Sequence, residues 1–328
     1  MKTSVALCTY NGEQYIEEQL LSIIEQTHPV DEIVICDDGS NDETLHLVEQ
    51  IKQKNTTIIR IYQNQPGLGV CENFKKAASL CTGDIIFFAD QDDVWRTDKV
   101  ETIIVFFSNQ PDTSVVFTDA LLIDSDSIHH DYYGTLFGMT FHQQERRMFN
   151  AGLHLESFLN RNHATGATMA VRKEFLDHHA PFDLCMGNIL HDYAIALKAA
   201  EVGELAVLSL PLIEYRRHNT QQTGFDLPQK EDPSIWYHYY DHLRELWPSG
   251  EVTPILKHFT ANHAQERIKY INTRNRNLHR LTAPFLIPLS LPTYRRMYGH
   301  KWHRVMRYDI SQCIRYTFLR LTHRLPEQ

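Results

Sequence analysis

The first 123 residues alternate between short apolar runs and amphipathic segments, and this alternation constrains the fold more than any other feature. The segments between the runs place apolar side chains at helical spacing, as Ile16, Leu20 and Ile23 show. Apolar strands separated by helices of this length favour a mostly parallel sheet covered on both faces. We therefore predict an α/β fold with strands at residues 4–10, 31–38, 56–62, 83–90 and 113–123.

The remainder of the chain is less regular. Residues 124–160 predict a long loop with one helix, and residues 163–178 predict a strand that runs into a helix. A further helix is predicted at 188–203 and a strand at 204–219. From about residue 235 the pattern becomes helical, and residues 299–325 form an amphipathic helix pattern with basic flanks.

Polar residues follow three of the predicted strands directly. The segments are "TYNG" at 9–12, "DDGS" at 37–40 and "DQDD" at 90–93. The carboxyl ends of parallel strands meet at one edge of a sheet, where ligands bind. Each acidic pair alone is typical of a helix cap or a turn, but their convergence favours a ligand site.

Three carboxylates, those of Asp90, Asp92 and Asp93, come directly after the apolar run "IIFFA". Carboxylates this close raise one another's pKa unless a cation relieves the repulsion. They form either a solvated turn or a divalent-metal site. An acidic edge can bind a nucleotide diphosphate only if a divalent cation bridges the two.

Other phosphate-binding motifs are not present in the sequence. It contains no G-x-x-x-x-G-K-[ST] segment, which excludes a P-loop. The segment "GLGVCE" (67–72) has Glu72 at the third glycine position and does not follow a strand, so a dinucleotide fingerprint is not supported.

Composition and cysteine usage narrow the protein class. Hydrophobic residues make up 42% and charged residues 22% of the chain, which is typical of a folded soluble protein. None of the six cysteines belongs to a C-x-x-C pair, which excludes zinc-finger and thioredoxin sites and favours reduced thiols. We find no signal-peptide pattern and no apolar run of roughly 18 residues, so we expect a cytoplasmic protein.

The net charge of −9 conceals an asymmetry along the chain. Residues 273–328 carry 11 Lys and Arg but only 2 Asp and Glu, whereas the preceding body is acidic. Such a segment suggests an anionic partner surface, either phospholipid or nucleic acid. The alternative is that it docks on the acidic body of its own chain.

Several motifs, in chain order, resemble those of the inverting family 2 glycosyltransferases of the GT-A fold. "VALCTYNGEQYIEEQLLSI" resembles the opening strand and helix of that family, and "EIVICDDGSNDET" resembles its second-strand motif. "IIFFADQDDVW" resembles the DXD region of a bacterial subgroup that includes rhamnosyltransferases. "HDYAIALKAAEVG" and "YRRHNTQQTG" resemble the later catalytic segments of the subgroup.

The resemblance covers residues 3 to about 225 and implies the organisation of the chain. Residues 1–225 are expected to form a GT-A catalytic domain with a mostly parallel central sheet and flanking helices. Its nucleotide-binding half would be 1–123 and its acceptor and catalytic half 124–225. Residues 226–328 would form a helical C-terminal extension with the basic amphipathic helix.

The resemblance also implies a role for individual side chains. Asp192 would be the general base that takes a proton from the acceptor hydroxyl. Nucleotide binding would fall to Thr9, Tyr10, Asn11, Asp38 and Asp90. A Mg²⁺ or Mn²⁺ ion would be held by Asp90, Asp92 and His218. Contacts to the diphosphate or the acceptor would come from Asp93, Trp95, Gly166, His191, Arg216 and Arg217.

Several of these assignments have a structural alternative. Asp192 could cap the N-terminus of an apolar helix, and Asp93 could be a turn residue. Trp95 could belong to the core instead of stacking on a sugar. Arg217 and His218 could be surface charges at a strand end.

The implied activity is metal-dependent sugar transfer from a nucleoside diphosphate sugar. The first candidate for this donor is dTDP-L-rhamnose, and the second is a UDP-hexose. The acceptor would be a hydroxyl of a glycan or lipid-linked molecule in bacterial surface polysaccharide synthesis. One alternative is a sugar-phosphate nucleotidyltransferase, although "TYNGEQY" lacks the Gly-rich basic loop of that class. Another is a non-catalytic subunit that binds nucleotide or carbohydrate. The acidic body argues against nucleic-acid binding.

The basic segment predicts a location for the protein. An amphipathic helix with basic flanks lies in a membrane interface and prefers anionic lipid. We therefore expect peripheral attachment through residues 280–325 to the inner face of the cytoplasmic membrane. The alternative is a helix that packs on the catalytic domain or on a second copy in an oligomer.

Overall fold

The computed structural model describes residues 1–129, 134–141, 143–160, 162–185, 189–218 and 221. The predicted helical extension at 226–328 and its basic amphipathic helix lie outside the described residues. The chain divides into two compact units, of which one comprises Met1–His142 and Asn162–Asp226 and the other Gln143–Arg161 and Leu227–Gln328.

Strands and helices alternate through the first unit, as the apolar pattern predicts. The strands are β1 (Thr3–Thr9), β2 (Glu32–Asp37), β3 (Ile58–Gln63), β4 (Ile85–Ala89), β5 (Val94–Trp95), β6 (Val115–Ile123), β7 (Met169–Arg172) and β8 (Leu205–Arg216). The helices among the described residues are α1 (Ile16–Ile24), α2 (Thr44–Lys54), α3 (Val70–Leu80), α4 (Lys99–Asn109), α5 (Leu136–Thr140), α6 (Gln143–Asn150), α7 (His154–Asn160), α8 (Lys173–His179) and α9 (His191–Val202).

The strands form one mixed sheet in the order β3-β2-β1-β4-β7-β6-β8-β5. The first four strands of this order are parallel to one another. Strand β7 is antiparallel to both of its neighbours, β8 is parallel to β6, and β5 is antiparallel to β8. The predicted α/β fold with flanking helices is confirmed, and its parallel half is built from residues 3–89.

The core lies along the parallel strands because their side chains are buried on both faces of the sheet. Every residue of β4 is fully buried, and so are Val5, Ala6 and Leu7 of β1. Helix α1 packs Ile16, Leu20 and Ile23 into this core, as their spacing predicts.

The register brings three polar segments to one edge of the sheet. Thr9 at the end of β1 pairs with Asp37 at the end of β2, and Leu7 pairs with Ala89 at the end of β4. The segments 9–12, 37–40 and 90–93 therefore leave the sheet at the same edge.

Two features differ from the sequence prediction. The prediction of one helix in residues 124–160 is wrong, because this segment contains the short helices α5, α6 and α7. Strand β5 was not predicted, since two residues are too few to show an alternating pattern. Its residues Val94 and Trp95 pair with Glu214 and Ile213 of β8, which is distant in sequence.

Helices α6 and α7 belong to the second unit. The rings of Phe149 and His154 stack there at a centroid distance of 3.9 Å, and Phe158 lies at the edge of Phe149. In the described part of the chain, we find no helix with the length and apolarity required to cross a bilayer.

Candidate active site

The residues Asp90–Asp93, which we call the acidic turn, follow β4 directly. Asp92 and Asp93 are buried at 9% and 1% exposure, so the turn is not a solvated loop. Its partner comes from the end of β8, where Nε2 of His218 lies 2.9 Å from Oδ2 of Asp92. The fold thus joins two predicted metal ligands that are 126 residues apart in sequence.

Burial and mutual repulsion make the acidic turn electrostatically strained. Desolvation, together with the charges of Asp92 and Asp192, raises the pKa of Asp90 to about 7. Burial and the same kind of repulsion raise the pKa of Asp93 well above its ordinary value. Oδ2 of Asp93 is buried and has no hydrogen-bond partner among the described residues. The carboxylates of the turn therefore resist ionisation in the absence of a further cation.

A buried lysine behind the turn was missed by the sequence analysis. Lys99 is fully buried at the start of α4, and its Nζ donates to the carbonyl oxygen of Ala167 at 2.8 Å. The same ammonium lies 3.8 Å from the ring centroid of Trp95. Burial lowers the pKa of Lys99 to about 7, although the charges of Asp93 and Asp90 oppose that shift.

Trp95 belongs to the core in this structure. It is 3% exposed, and its ring lies 5.8 Å from that of Phe87. This burial supports the packing alternative over the stacking of Trp95 on a sugar.

Arg216, predicted to contact the diphosphate or the acceptor, is fully buried. Its backbone N–H donates to Oδ1 of Asp93 at 3.0 Å, and its Nε donates to the carbonyl oxygen of Asp92 at 2.7 Å. The neighbouring Arg217 is partly buried, and its backbone N–H donates to the carbonyl oxygen of Ile123 at 2.8 Å. The structure therefore places Arg216 behind the acidic turn and not on an open surface.

Asp192 lies in the first turn of α9. The residue at the N-cap position is Leu190, so Asp192 is not the cap of this helix. Its Oδ1 accepts the backbone N–H of Tyr193 at 2.6 Å. Burial raises the pKa of Asp192 to about 6, although hydrogen bonds from Tyr193, Gly166 and Asn162 oppose the shift. A carboxylate with such a pKa can accept a proton near neutral pH.

His191 and Gly166 pack against each other beside Asp192. A Cβ added to Gly166 would overlap Nε2 of His191. The group that approaches Gly166 closely is therefore the imidazole of His191. His191 is 4% exposed and stacks on Phe74 at a centroid distance of 3.9 Å. Burial lowers the pKa of His191 to about 3, which keeps the ring neutral at physiological pH.

Two of the predicted nucleotide-binding residues, Tyr10 and Asp38, line a cavity of about 690 Å³, whereas Thr9, Asn11 and Asp90 are not among its lining residues. Tyr10 is 42% exposed at its edge, whereas Thr9 is buried and donates its hydroxyl to Asp37 at 2.8 Å. Asn11 has a left-handed φ of 48° and joins this segment to the next one, because its Oδ1 accepts the N–H of Asn41 at 3.0 Å. The cavity is lined by Tyr10, Asp38, Gly39, Ser40, Asn41, Gln63, Asn64, Gln65, Pro66, Gly67 and Gly69.

Asp38 is held by the loop after β3. It accepts the backbone N–H groups of Leu68 and Gly69 at 2.6 and 2.8 Å and the Asn64 amide at 2.9 Å. Burial would raise the pKa of Asp38, but these hydrogen bonds outweigh that effect and hold the pKa below its ordinary value. Asp38 therefore orders one wall of the cavity.

The loop at residues 63–69 was missed as part of the site. Its sequence "QNQPGLG" was considered only as a dinucleotide fingerprint. A Cβ at Gly67 would lie 2.7 Å from the carbonyl oxygen of Asp38, so a glycine is required where the loop approaches β2. The signal in the sequence was a polar, Gly- and Pro-containing turn directly after a predicted strand.

The residues of the acidic turn suit a divalent cation. In the described ranges no three His, Cys, Asp or Glu side chains are gathered as a ligand set, so the predicted group of Asp90, Asp92 and His218 is not fully assembled. The Asp92–His218 pair is assembled, and Oδ2 of Asp93 has no hydrogen-bond partner in the part of the chain that the structure describes. Carboxylate oxygens and an imidazole nitrogen are ligands that Mg²⁺ or Mn²⁺ accepts.

Comparison with known proteins gives a family-level match. The family model described as "Glycosyl transferase family 2" matches residues 4–179. The dTDP-rhamnosyl transferase RfbG of Shigella flexneri is 30% identical over 264 residues, which cover 76% of this chain and 83% of that protein. An uncharacterized glycosyltransferase of Nostoc sp. is 30% identical over 221 residues, which cover 66% of this chain and 65% of that protein.

A solved structure shows the same fold. The crystal structure of S. aureus TarS 1-349 in complex with UDP-GlcNAc matches with a TM-score of 0.51 and 20% identity, over 75% of this chain and 66% of that chain. The match to TarS and that to the Nostoc protein each span about two thirds of the matched protein.

Proposed function

Because the chain belongs to glycosyl transferase family 2, we propose that it transfers a sugar from a nucleoside diphosphate sugar to an acceptor hydroxyl, with inversion at the anomeric carbon. One observation carries the proposal. Nε2 of His218 lies 2.9 Å from Oδ2 of Asp92 at the edge of the sheet where the parallel strands end. This pair of potential metal ligands supports a diphosphate site there.

The donor diphosphate would be held at the acidic turn. Asp92 and His218 would hold a Mg²⁺ or Mn²⁺ ion, with Asp90 on the ion or on the ribose. When bound, this ion supplies the positive charge that the crowded carboxylates lack and neutralises charge on the leaving diphosphate. The nucleoside would occupy the cavity beside Asp38, where Tyr10 offers an exposed ring.

Asp192 is the proposed general base. Its carboxylate would take the proton of the acceptor hydroxyl while that oxygen attacks the anomeric carbon opposite the diphosphate. The pKa of about 6 leaves it mostly ionised at neutral pH and yet basic enough to accept a proton. His191 would support Asp192 by packing beside it and would not transfer the proton itself, since its ring is buried and neutral.

We propose dTDP-L-rhamnose as the first donor to test and a UDP-hexose as the second. The similarity to a dTDP-rhamnosyl transferase over 83% of that protein supports this order. The acceptor is proposed to be a glycan or lipid-linked hydroxyl of a surface polysaccharide. Residues 1–225 are proposed as the catalytic domain, and residues 280–325 as a peripheral attachment to anionic membrane.

Calorimetric titration of the purified chain with dTDP, UDP and GDP, each with and without Mn²⁺, tests the proposal. We expect one nucleotide to bind, and to bind tightly only with Mn²⁺. The nucleotide that binds then selects the donor for a transfer assay. A folded sample that binds none of the three would contradict the donor-site assignment, whatever the family.

A further inference from the structure

The ring of Tyr15 lies against two side chains, one from the last residue of β8 and one just after it. The guanidinium carbon of Arg216 is 4.6 Å from the centroid of Tyr15, and the ring of His218 is 4.8 Å from it. A cation near an aromatic face is held by the ring quadrupole, and a tilted ring pair adds further contact. Tyr15 thus connects Arg216 to the imidazole that contacts Asp92.

Arg216 also holds the acidic turn through its backbone and its side chain. Its N–H donates to Oδ1 of Asp93 at 3.0 Å, and its Nε donates to the carbonyl oxygen of Asp92 at 2.7 Å. Hydrogen bonds at both residues fix the direction in which the Asp92 carboxylate leaves the turn.

The remaining donors of Arg216 are bound elsewhere. Nη2 contacts Oε2 of Glu18 at 2.6 Å, and Nη1 donates to the carbonyl oxygen of Asp124 at 3.1 Å and to Oγ of Ser127 at 2.9 Å. A buried guanidinium is costly unless it is paired and hydrogen-bonded, and here it is both. Because these donors are already engaged by Glu18, Asp124 and Ser127, the guanidinium does not offer a free fork to a diphosphate.

We propose that Tyr15, Glu18 and Arg216 form a positioning unit that orients the acidic turn and His218 toward each other, so that the Asp92–His218 pair is preorganised for a divalent cation. None of the three touches the cation itself. Arg216 is therefore a positioning residue and not a substrate ligand. The cation-binding part of this inference rests on the proposed function, whereas the orientation of His218 does not.

The test uses the full chain and two variants of the unit. Glu18→Gln removes the counter-charge of Arg216 at a position whose side chain is 48% exposed, so this variant is expected to fold. Arg216→Met removes the guanidinium and keeps a side chain of similar length.

Arg172→Met is the matched control. Arg172 also donates to two backbone carbonyls, those of Thr113 at 2.8 Å and Phe107 at 3.0 Å, and lies over the Phe107 ring at 4.9 Å. It pairs with Ile85 at the start of β4, which is the end of that strand opposite to the acidic turn.

Two measurements are made on each variant. The first is the NMR spectrum of the His218 imidazole without metal, assigned with a His218→Gln variant. The second is the affinity for Mn²⁺ alone, measured by electron paramagnetic resonance. We expect Glu18→Gln and Arg216→Met to shift the imidazole signals and to weaken Mn²⁺ binding by about 10-fold or more, as partners of metal ligands do. Arg172→Met should change neither measurement.

The outcomes separate the two proposals. Unshifted His218 signals and unchanged Mn²⁺ affinity in Glu18→Gln would overturn the positioning unit, even if Arg216→Met failed to fold. If Asp92→Asn bound Mn²⁺ as tightly as the unmodified chain, the metal site of the proposed function would be wrong. If Glu18→Gln nevertheless shifted the His218 signals, the orientation of His218 by Tyr15, Glu18 and Arg216 would stand. Its link to a cation would then be removed.

Discussion

At the scale of single residues, burial decides the protonation of the groups that the proposed chemistry needs. Asp192 and Asp90 are both desolvated, and their pKa values rise to about 6 and about 7. Asp38 has the opposite shift because three hydrogen bonds favour its charged form. The same side-chain type is therefore the proposed proton acceptor at Asp192 and a loop anchor with a lowered pKa at Asp38.

The general-base role of Asp192 predicts a pH profile. The base works only when ionised, so kcat/KM should be constant above its pKa and fall as pH drops through about 6. Replacing the base, Asp192→Asn, should lower kcat by roughly 100- to 10,000-fold and leave nucleotide binding unchanged. Asp177→Asn, at an exposed acid paired with Lys173, is the control. Full transfer activity in Asp192→Asn would remove Asp192 from this role.

The buried Lys99 predicts a stability effect. Replacing Lys99 with methionine leaves the buried carbonyl oxygen of Ala167 without its donor and removes an ammonium whose charge interacts with Asp90 and Asp93. Leaving one partner of a buried hydrogen bond unsatisfied costs about 1–3 kcal/mol. We expect urea unfolding of Lys99→Met to show a loss of this order. Lys173→Met, which breaks a surface pair with Asp177, should cost no more than about 1 kcal/mol. An equal loss of unfolding free energy in the two variants would contradict a stabilising role of the buried Lys99 beside the acidic turn.

At the scale of elements, the site depends on how the turn at Gly166–Thr168 meets the start of α9. The Gly166 N–H supports Asp192, and the missing side chain of Gly166 leaves room for the ring of His191. The Lys99 ammonium binds the next carbonyl of the same turn, at Ala167. One short turn thus contacts both Asp192, the proposed base, and Lys99.

Gly166→Ala tests this junction. The added methyl would overlap His191, so the ring or the turn must move, and overpacking of this kind costs about 1–3 kcal/mol. We expect lower stability and a lower kcat. Nucleotide affinity should be unchanged, because the cavity beside Asp38 lies after β2 and β3, whereas this turn leads into β7, which β1 and β4 separate from β2. The double variant Gly166→Ala with His191→Ala should recover part of the lost stability relative to the sum of the two single variants. Strict additivity would contradict the proposed clash.

The elements differed in how well the sequence predicted them. Strands β1, β2 and β4 were predictable because they are buried on both faces and read as unbroken apolar runs. Strand β5 was not, since its two residues pair with β8 through a contact that no local pattern encodes. The burial of Lys99 and Arg216 was missed for the same reason. Charged residues are normally exposed, and only tertiary contacts show that these two are enclosed.

At the scale of the whole molecule, charge is divided between an acidic body and a basic end. The acidic body contains the acidic turn at the edge of the sheet, whereas residues 273–328 contain 11 Lys and Arg. An acceptor carried by an anionic membrane would be repelled by the acidic body. A basic segment would offset that repulsion and keep the proposed catalytic domain near its acceptor.

This division predicts binding to anionic vesicles by the full chain. We expect co-sedimentation with vesicles that contain phosphatidylglycerol, little with pure phosphatidylcholine, and release at high salt because charge screening shortens the interaction range. Each basic residue near the surface contributes about 1 kcal/mol. Arg304→Gln with Arg307→Gln should therefore weaken binding by roughly 30-fold, whereas Lys52→Gln with Lys54→Gln, at the end of α2, should not. Equal binding to both vesicle types would contradict electrostatic attachment and favour a protein surface as the partner of this segment.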